Sequence, residues 1–459
     1  MVPSRRLVVL ARPHRAPLGG LGGLGRRGES AYTAHDDERL SRGRFKNVAR
    51  PLPCPVLILP SVQLPVASRP TRGNPHRRDV FLALEQLERV RMADFAAIWR
   101  DVGDDFLSAV ARVGESGWVV LGTEVAAFEE ELADFWGVAH AIGVASGLDA
   151  IEICLRIVGL RPGDEVLTTP LTAFATTLAI VRAGGIPVYC DVDSNGLIDL
   201  DRAEAVLQTR PQIRAFLPVH LYGQVVDLDR LDAISQRYDI TIVEDCAQSV
   251  GAKFGIRTAG TVGSASATSL YPTKNLGAFG DGGVVLTNDA ALADAARTLR
   301  DYGQSAKYVH SVLGLNSRLD ELHAATLRTA MLPRLPGYQR RRAEVAAAYT
   351  ARIRTSAITF LLPRAGTVPA WHLFPVLVNG RTEHFVAHLA TQGVETARHY
   401  PFVCPDQPAL QNIPHVVADP LDQGRRFASQ VVSLPLHPFL TDTDVTTVIQ
   451  ACNSFAPSD

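Results

Sequence analysis

A single lysine stands between a short apolar stretch and a glycine-rich turn. Lys274 follows the run Ala265–Leu270 and precedes Gly280–Gly283. Glycines allow the backbone to take a positive φ and to approach a ligand closely. A lysine held beside such a backbone loses water, so its pKa falls and its amine can act as a nucleophile. The ordinary alternative is an exposed loop lysine, since lysine is rarely fully buried.

The use of basic residues favours a chemical role for Lys274. Of the 46 lysines and arginines in the chain, only four are lysines. Because arginine supplies nearly every other positive charge, a lysine that is retained indicates chemistry that the permanently protonated guanidinium does not perform.

Further polar groups follow predicted strands. Ser146–Ala150 opens a predicted helix directly after a strand, where free N–H groups and the helix dipole favour an anion. Asp245 ends the apolar run Thr241–Glu244, and either points into a ligand crevice or caps a helix. Ser269 precedes Lys274 by five residues and offers a hydroxyl to the same anion, although a strand-end serine is commonly satisfied locally.

Asn316 lies in the segment Gly314–Arg318, before a predicted long helix. It could reach a ligand from there, but the residues alone favour a plain turn in which Ser317 caps the helix. An anion site, a strand-end carboxylate and a lysine on one sheet are together what pyridoxal phosphate requires: a lysine for the Schiff base, an acid for the pyridine nitrogen and donors for the phosphate. The carboxylate would keep that nitrogen protonated, so that the ring accepts electrons when a Cα–H bond breaks.

The elements that must position these groups alternate along the chain from residue 92 onwards. The predicted strands are Ala141–Val144, Glu165–Thr168, Pro187–Asp191, Ala215–His220, Thr241–Glu244, Ala265–Leu270 and Gly283–Leu286. The predicted helices are Phe95–Val113, Glu124–Phe135, Asp149–Val158, Ala173–Ala183, Asp201–Leu207, Leu228–Arg237 and Ala290–Asp301. Such alternation predicts an α/β fold with a mainly parallel sheet and ligands beyond the carboxyl ends of its strands.

We expect three parts in the chain. Residues 1–91 mix glycine clusters, arginine pairs and prolines without sustained periodicity, which is typical of a disordered tail. A transit peptide is one alternative, and another is that Met92 is the true start and residues 1–91 are a non-native extension. Residues 92–334 are predicted to form the large domain and residues 335–459 a smaller C-terminal domain.

The junction between the two predicted domains is rich in proline. A long helix from Leu319 to about Leu335 is predicted to end at Pro333 and Pro336, and a second helix spans Gln339–Ile353. The pattern then predicts a strand, a helix and a strand: Trp371–Val378, Glu383–Gln392 and Val394–Tyr400.

Charge and cysteine usage exclude several classes of protein. Residues 1–91 carry 17 Lys+Arg against 7 Asp+Glu and the remainder 29 against 40, so the main body is acidic and nucleic acid is not an expected partner. Six scattered cysteines without a C-x-x-C pair suit reduced thiols in the cytoplasm better than disulfides or a zinc site. No apolar run approaches the ~18 residues of a membrane helix. We expect a cytoplasmic protein that uses no metal and no membrane.

Eight segments, in chain order, together resemble one known family. They are Ser116–Trp118, Ser146–Ala150, Pro162–Val166, Val219–Gly223, Glu244–Gln248, Tyr271–Gly277, Asn316–Glu321 and His399–Pro401. From about Met92 to the end, the sequence resembles the DegT/DnrJ/EryC1/StrS family of sugar aminotransferases. The resemblance implies the fold type I architecture of pyridoxal-phosphate-dependent transferases, with a large domain built on a mainly parallel sheet and a smaller α+β domain.

The resemblance also implies roles for individual residues. Lys274 would bind the cofactor covalently, Asp245 would pair with the pyridine nitrogen, and Gln248 would lie against the ring near its phenolic oxygen. The cofactor phosphate would be held by Gly147, Leu148, Asp149 and Ser269.

Asn316 is implied to reach the phosphate of the partner's cofactor, which makes a homodimer with shared active sites the minimal active unit.

Two positions depart from the family pattern. Leu148 stands where many relatives have threonine, so a hydroxyl contact is lost. The aromatic that stacks on the ring usually follows the threonine matching Thr172, but Ala173 stands there, and the candidate Phe174 comes one residue later.

The implied reaction is a ping-pong transamination from L-glutamate to a nucleotide-linked keto-sugar, as in amino-sugar biosynthesis. Lys274 would be displaced by the donor amine and would then move the proton between the donor Cα and the cofactor. His220, His399 and Tyr400 are candidate substrate-side residues, although a histidine near a strand end is more often structural. Gln248, where some relatives have histidine, and the variant segment Gly147–Asp149 favour acceptors aminated at C3.

Other functions fit parts of the same pattern. The acceptor could be another cyclic ketone, such as an inosose or an aminobenzoate precursor. A sugar dehydratase of the same family would carry histidine in place of Lys274. A regulator that binds the cofactor without turnover would be supported by a fused DNA-binding segment, but residues 1–91 contain no helix-turn-helix pattern. A nicotinamide-dependent oxidoreductase would need a G-x-G-x-x-G after the first strands, where none is found.

Overall fold

The computed structural model describes residues 89–456, so the predicted tail lies outside the described residues except for its last three. The described part contains sixteen strands and twelve α-helices. The strands are β1 (His140–Val144), β2 (Glu165–Thr168), β3 (Ile186–Tyr189), β4 (Ile213–Leu217), β5 (Thr241–Asp245), β6 (Lys253–Phe254), β7 (Arg257–Thr258), β8 (Ala265–Ser269), β9 (Gly283–Thr287), β10 (Gln304–Ala306), β11 (Val309–His310), β12 (Ile358–Phe360), β13 (Thr367–Val368), β14 (Phe374–Val378), β15 (Val416–Val417) and β16 (Val431–Leu434).

The seven helices predicted for residues 95–301 begin and end within three residues of the predicted positions, whereas the helices Asp422–Gln430 and Asp442–Ser454 were not predicted. They are α1 (Phe95–Ser116), α2 (Thr123–Trp136), α3 (Gly147–Ile157), α4 (Phe174–Arg182), α5 (Leu200–Thr209), α6 (Leu228–Tyr238), α7 (Ala290–Arg300), α8 (Glu321–Thr326), α9 (Leu335–Arg352), α10 (Thr382–Thr391), α11 (Asp422–Gln430) and α12 (Asp442–Ser454). Side-chain caps explain several of the starts, since Asp199, Asp227 and Asp289 accept hydrogen bonds from first-turn N–H groups of α5, α6 and α7.

Eight strands form one large sheet in the order β1-β9-β8-β5-β4-β2-β3-β15. Neighbours pair in parallel from β8 to β15, and only β9 runs antiparallel to its neighbours β1 and β8. All seven strands predicted for the large domain are present, and the predicted mainly parallel α/β sheet is confirmed. The carboxyl ends of β5 and β8 therefore lie side by side.

The sheet is covered on both faces. In β9, Val284 and Leu286 belong to one hydrophobic core, while Val285 between them belongs to another. Alternate residues of a strand point to opposite faces, so one sheet separates two cores. Both cores exclude water from the strands that carry the site.

The two prolines predicted to end the helix near Leu335 do not end it. The backbone continues from α8 through a π-helical turn (Leu327–Met331) and a 3₁₀ turn (Leu332–Arg334) into α9. Pro333 and Pro336 each lie in the first turn of their own helical segment, where no N–H is required. The changes of helix type therefore accommodate both prolines without a break in the helical path.

A three-stranded antiparallel sheet, β12-β14-β16, supports a second group of buried apolar residues. Val90 belongs to this group, and its backbone bonds to Gly393 and Glu395. Val90 thus packs with the fold two residues before the predicted boundary at Met92. The strand predicted over Val394–Tyr400 does not form, because only isolated bridges hold this segment.

The C-terminal part of the chain also contributes to the large sheet. Strand β15 pairs in parallel with β3, and Phe427 of α11 packs in the core that lies against that sheet. Residues after 335 therefore add a strand to the large sheet, because the chain returns to the sheet edge. Within residues 89–456, no helix is long and apolar enough to cross a membrane.

Candidate active site

Lys274 lies in the turn after β8, at the carboxyl end of a fully buried strand. Its backbone N–H donates to the Tyr271 carbonyl at 2.8 Å, and its partly buried side chain lines a cavity of about 330 Å³. Burial lowers the pKa of the Lys274 amine from 10.5 to about 8, and the negative charge of Asp245 opposes part of this change. About a tenth of the amine is therefore neutral at pH 7, whereas an ordinary lysine is almost wholly protonated.

Asp245 ends β5 and is only 3% exposed. Thr176 Oγ1 donates to its Oδ2 at 2.8 Å, and the Ala247 N–H donates to its Oδ1 at 3.0 Å. Burial raises the pKa of the Asp245 carboxyl, while these hydrogen bonds and the positive charge of Lys274 act in the opposite direction. The charges of Asp245 and Lys274 each affect the pKa of the other group, so the carboxylate and the amine lie near each other at one edge of the sheet.

Gln248 joins three segments of the chain. Its Oε1 accepts from the Tyr222 N–H at 2.7 Å, and its Nε2 donates to the Tyr400 hydroxyl oxygen at 3.1 Å. The Tyr222 hydroxyl in turn donates to the His399 carbonyl at 2.5 Å. Tyr222 therefore fixes both Gln248 and the segment that carries His399 and Tyr400.

His399 and Tyr400 line the same cavity as Lys274 and Gln248. The His399 Nδ1 lies 2.9 Å from the Ser433 hydroxyl. Burial and the charge of Lys274 lower the pKa of His399 to about 4, and burial raises the pKa of Tyr400 to about 12. Both side chains are therefore neutral at pH 7 and can donate or accept hydrogen bonds without adding charge.

The start of α3 packs directly on Ser269. A Cβ atom placed on Gly147 would lie 2.6 Å from the Ser269 Cβ, so a residue without a side chain is required there. The Ser146 side chain accepts from the Asp149 N–H at 3.1 Å, so this predicted donor already has a partner. The N–H groups of Gly147 and Leu148 have none among the described residues, which leaves two donors at a helix N-terminus.

The segment that carries Asn316 is tied to the same helix. The Ser317 hydroxyl donates to Asp149 Oδ2 at 2.8 Å and accepts from the Ala145 N–H at 3.1 Å. Arg182 balances the charge of the Asp149 carboxylate at 3.2 Å. Ser317 is thus a link between α3 and this segment rather than a helix cap, and Asn316 is exposed beside it.

Of the predicted site residues, four line this cavity, namely Lys274, Gln248, His399 and Tyr400. Asp245, Ser269, Asn316 and the start of α3 are not among its lining residues, and His220 and Phe174 are engaged elsewhere. His220 is fully buried, its Nε2 lies 2.9 Å from Glu244, and its Nδ1 accepts from the Val226 N–H at 3.1 Å. Because both ring nitrogens are engaged, His220 has a structural environment. Phe174 packs instead in a small hydrophobic cluster with Tyr189, Cys404, Leu410 and Leu421.

Four other polar side chains in or near the site were not predicted: Thr176, Tyr222, Arg342 and His372. Only helix phase identifies Arg342, since it lies on the same stripe of α9 as buried Val345, Ala346 and Tyr349. The sequence places it in a run of three arginines, which is the ordinary pattern of an exposed helix face. Thr176 and Tyr222 act through other side chains, so no local motif reveals them.

The family model that matches this chain, over residues 100–453, is the DegT/DnrJ/EryC1/StrS aminotransferase family. The dTDP-3-amino-3,4,6-trideoxy-alpha-D-glucose transaminase of Streptomyces venezuelae is 39% identical over 373 residues, covering 80% of this chain and 96% of that protein. The UDP-2-acetamido-2-deoxy-3-oxo-D-glucuronate aminotransferase of Pseudomonas aeruginosa is 36% identical over 357 residues, covering 76% and 96%.

A crystal structure gives the same answer for the fold. The structure of DesV from S. venezuelae in complex with a ketimine intermediate has a TM-score of 0.76 and 39% identity, and the match covers 80% of this chain and 98% of that one. This chain therefore has the fold type I architecture that the family resemblance implied. The chain therefore belongs to the DegT/DnrJ/EryC1/StrS aminotransferase family.

Proposed function

We propose that this protein is a pyridoxal-phosphate-dependent aminotransferase that moves an amino group from L-glutamate to a nucleotide-linked keto-sugar. The observation that carries the proposal is the pair of Lys274 and Asp245. Lys274 offers an amine of lowered pKa inside a cavity, and Asp245 offers a buried carboxylate close enough to influence that pKa. Family membership supplies the reaction class, and the residues supply the site.

The residues present fit pyridoxal phosphate. Gly147 leaves room where a Cβ would contact Ser269, and the free N–H groups of Gly147 and Leu148 suit a phosphate. Ser269 adds a hydroxyl at the end of β8. Asn316 is proposed to reach the phosphate of the partner subunit's cofactor. Phe174 packs away from the cavity, which weakens its candidacy as the stacking residue.

The chain's own residues perform the proton chemistry. The cofactor, when bound, supplies an electron sink that weakens the Cα–H bond of the donor. Lys274 Nζ is the attachment point and then the base, because a pKa of about 8 leaves a useful neutral fraction at physiological pH. Asp245 Oδ atoms hold a proton on the pyridine nitrogen, while Thr176 and the Ala247 N–H fix the carboxylate's direction.

The acceptor is proposed to be a sugar with a ketone at C3. Both relatives described above carry a 3-amino or 3-oxo sugar in their names, one linked to dTDP and the other to UDP. His399 and Tyr400 are the substrate-side candidates, because both are neutral and line the cavity with Lys274. His220 is not proposed for this role, because both of its ring nitrogens are engaged.

The active unit is proposed to be a homodimer. Trp99, Phe106 and Phe279 pack edge to face with ring centroids 4.9 to 5.9 Å apart, yet Trp99 and Phe279 remain 42% and 36% exposed. Large apolar groups left exposed together mark an interface, and Phe279 lies five residues after Lys274.

A cytoplasmic location is proposed from the cysteines, since the five in the described residues are buried and unpaired.

Incubation of the holoenzyme with L-glutamate and a panel of nucleotide keto-sugars tests the proposal. We expect 2-oxoglutarate and a 3-amino sugar nucleotide, identified by mass and by the position of the amino group. Amination of an inosose alone would transfer the same chemistry to another ketone. Release of water without amine transfer would indicate the dehydratase, against which the presence of Lys274 argues.

A further inference from the structure

Arg342 of α9 is a buried cation without a carboxylate partner. Its side chain lines the cavity that contains Lys274, and the residue is only 6% exposed. Its Nη1 donates to the carbonyls of Leu436, His372 and Trp371 at 2.6, 3.2 and 3.3 Å. Among the described residues, its buried Nε has no hydrogen-bond partner, and the three hydrogen bonds that the guanidinium makes all come from Nη1. The guanidinium is therefore fixed by one nitrogen and left open along one edge.

That open edge has a defined chemistry. The Nε–H and one Nη–H of a guanidinium point the same way and match the two oxygens of a carboxylate. A buried charge is costly unless it is paired. Burial lowers the pKa of Arg342 to about 10, so it remains a cation at pH 7. The geometry calls for an anionic partner that the described residues do not provide.

The surroundings of Arg342 favour an anion within the cavity. His437 follows Leu436, lines the cavity and is 7% exposed, and neither of its ring nitrogens has a hydrogen-bond partner. Burial and the charges of Lys274 and Arg342 lower the pKa of His372, so this imidazole lies near both cations. The single carboxylate among the described lining residues is Asp94, whose Oδ1 is occupied by the Ala97 N–H at 2.9 Å.

We propose that Arg342 binds a carboxylate of the amino donor through its Nε–Nη2 edge, with His437 as a second hydrogen-bonding group. The inference rests on the proposed aminotransferase function and names the residue that recognises the donor. A free amino acid is small enough for a cavity of about 330 Å³. The diphosphate of a sugar nucleotide is the other anion in the reaction, but Arg342 is too deeply buried to suit a bulky, solvent-facing group.

The test compares Arg342→Gln with Arg340→Gln, which removes an exposed arginine from the same helix. Calorimetric titration of each holoenzyme with glutarate and with dTDP separates the two anions without requiring turnover. We expect Arg342→Gln to weaken glutarate binding by about 10- to 100-fold, the range for a charged hydrogen bond, and to leave dTDP binding within about 3-fold. Arg340→Gln should match the wild type with both probes.

Kinetics provide a second readout. The glutamate concentration needed for half-maximal conversion of the holoenzyme to its amino form should rise in Arg342→Gln by a similar factor, while the KM for the keto-sugar stays unchanged. Arg342→Lys, which keeps the charge but not the bidentate edge, should be intermediate and carries the test if Arg342→Gln does not fold.

Three results would overturn the inference: unchanged glutarate affinity, equal weakening of glutarate and dTDP, or a uniform fall in kcat with unchanged KM values and a lowered Tm. The last would mean that Arg342 only supports the backbone carbonyls that it contacts. If wild-type holoenzyme shows no reaction with glutamate, the proposed function fails instead, whatever the glutarate titration shows.

Discussion

At the scale of single residues, the pKa of Lys274 is the property that can be measured most simply. A pKa near 8 means that the neutral, nucleophilic fraction of the amine grows as the pH rises through 8. Capture of pyridoxal phosphate by the apoenzyme should therefore accelerate about tenfold between pH 7 and pH 9 and then level off. Stopped-flow absorbance measures this rate. An ordinary lysine would give a rate that still climbs steeply above pH 9.

The Asp245 carboxylate should control both the cofactor and this profile. Asp245→Asn keeps the shape of the side chain but removes the negative charge that raises the Lys274 pKa. We expect turnover to fall by about 100-fold or more, because the pyridine nitrogen loses its acid partner. The pH profile of cofactor capture should move to lower pH. Wild-type turnover in this variant would show that Asp245 serves only as a partner for Thr176 and Ala247.

Residues joined to a recognisable motif were the ones that sequence alone could predict. Lys274 and Asp245 follow neighbouring parallel strands, so topology brings them together once the strands are known. His220 has the same position relative to a strand, but its ring is engaged by Glu244 and Val226, and no pattern in the sequence indicates those contacts. Arg342 is the converse case. It lies in a run of three arginines, which is typical of an exposed helix face, yet its side chain is buried.

At the scale of elements, the start of α3 should be sensitive to a single methyl group. Gly147→Ala would place a Cβ 2.6 Å from the Ser269 Cβ, and one of the two strand-end segments must shift. We expect pyridoxal phosphate affinity to fall by about tenfold or more, since a shift of the N–H donors costs about one charge-assisted hydrogen bond. Equilibrium titration of the apoenzyme measures the change.

Gly114→Ala is the matched control for this substitution. Gly114 lies within α1, and a Cβ there would meet no atom within 4 Å. Alanine should therefore leave cofactor affinity unchanged and stabilise the protein by about 0.5–1 kcal/mol. Equal effects of the two substitutions on cofactor affinity would contradict the proposed role of the α3 N-terminus.

The boundaries of elements in the large sheet were predictable because apolar runs and capping residues mark them. The path through Pro333 and Pro336 was not, since it depends on a π-helical turn that no residue pattern specifies. The segment 394–400 was predicted as a strand, but only two single bridges hold it, Val90 with Val394 and Ala397 with Ser433 of β16. Both partners are distant in sequence, so the sequence pattern does not indicate how far the pairing extends.

At the scale of the whole molecule, shared active sites predict complementation between two inactive variants. Lys274→Ala lacks the attachment point, and Asn316→Ala lacks the side chain proposed to reach the partner subunit's cofactor. In a mixed dimer, one site carries both substitutions and the other carries neither. Mixing the two variants, with exchange of subunits, should therefore restore activity to about a quarter of the wild-type value.

The control for this experiment is each variant incubated alone, followed by light scattering to measure the oligomeric state. If Asn316 acts within its own subunit, no mixed dimer contains an intact site, and the mixture should be no more active than Asn316→Ala alone. A monomer in solution at assay concentration would contradict the shared site directly. The exposed Trp99 and Phe279 are the side chains expected to be covered in the dimer.

The central claim is that Lys274 binds pyridoxal phosphate, and reduction of the holoenzyme with borohydride tests it most directly. The chain has only four lysines, Lys46, Lys253, Lys274 and Lys307, so peptide mass spectrometry can assign the label without ambiguity. We predict one pyridoxyl phosphate group per chain, on Lys274, and its loss in Lys274→Ala. A label on another lysine, or no label in a protein that still transaminates, would contradict the account.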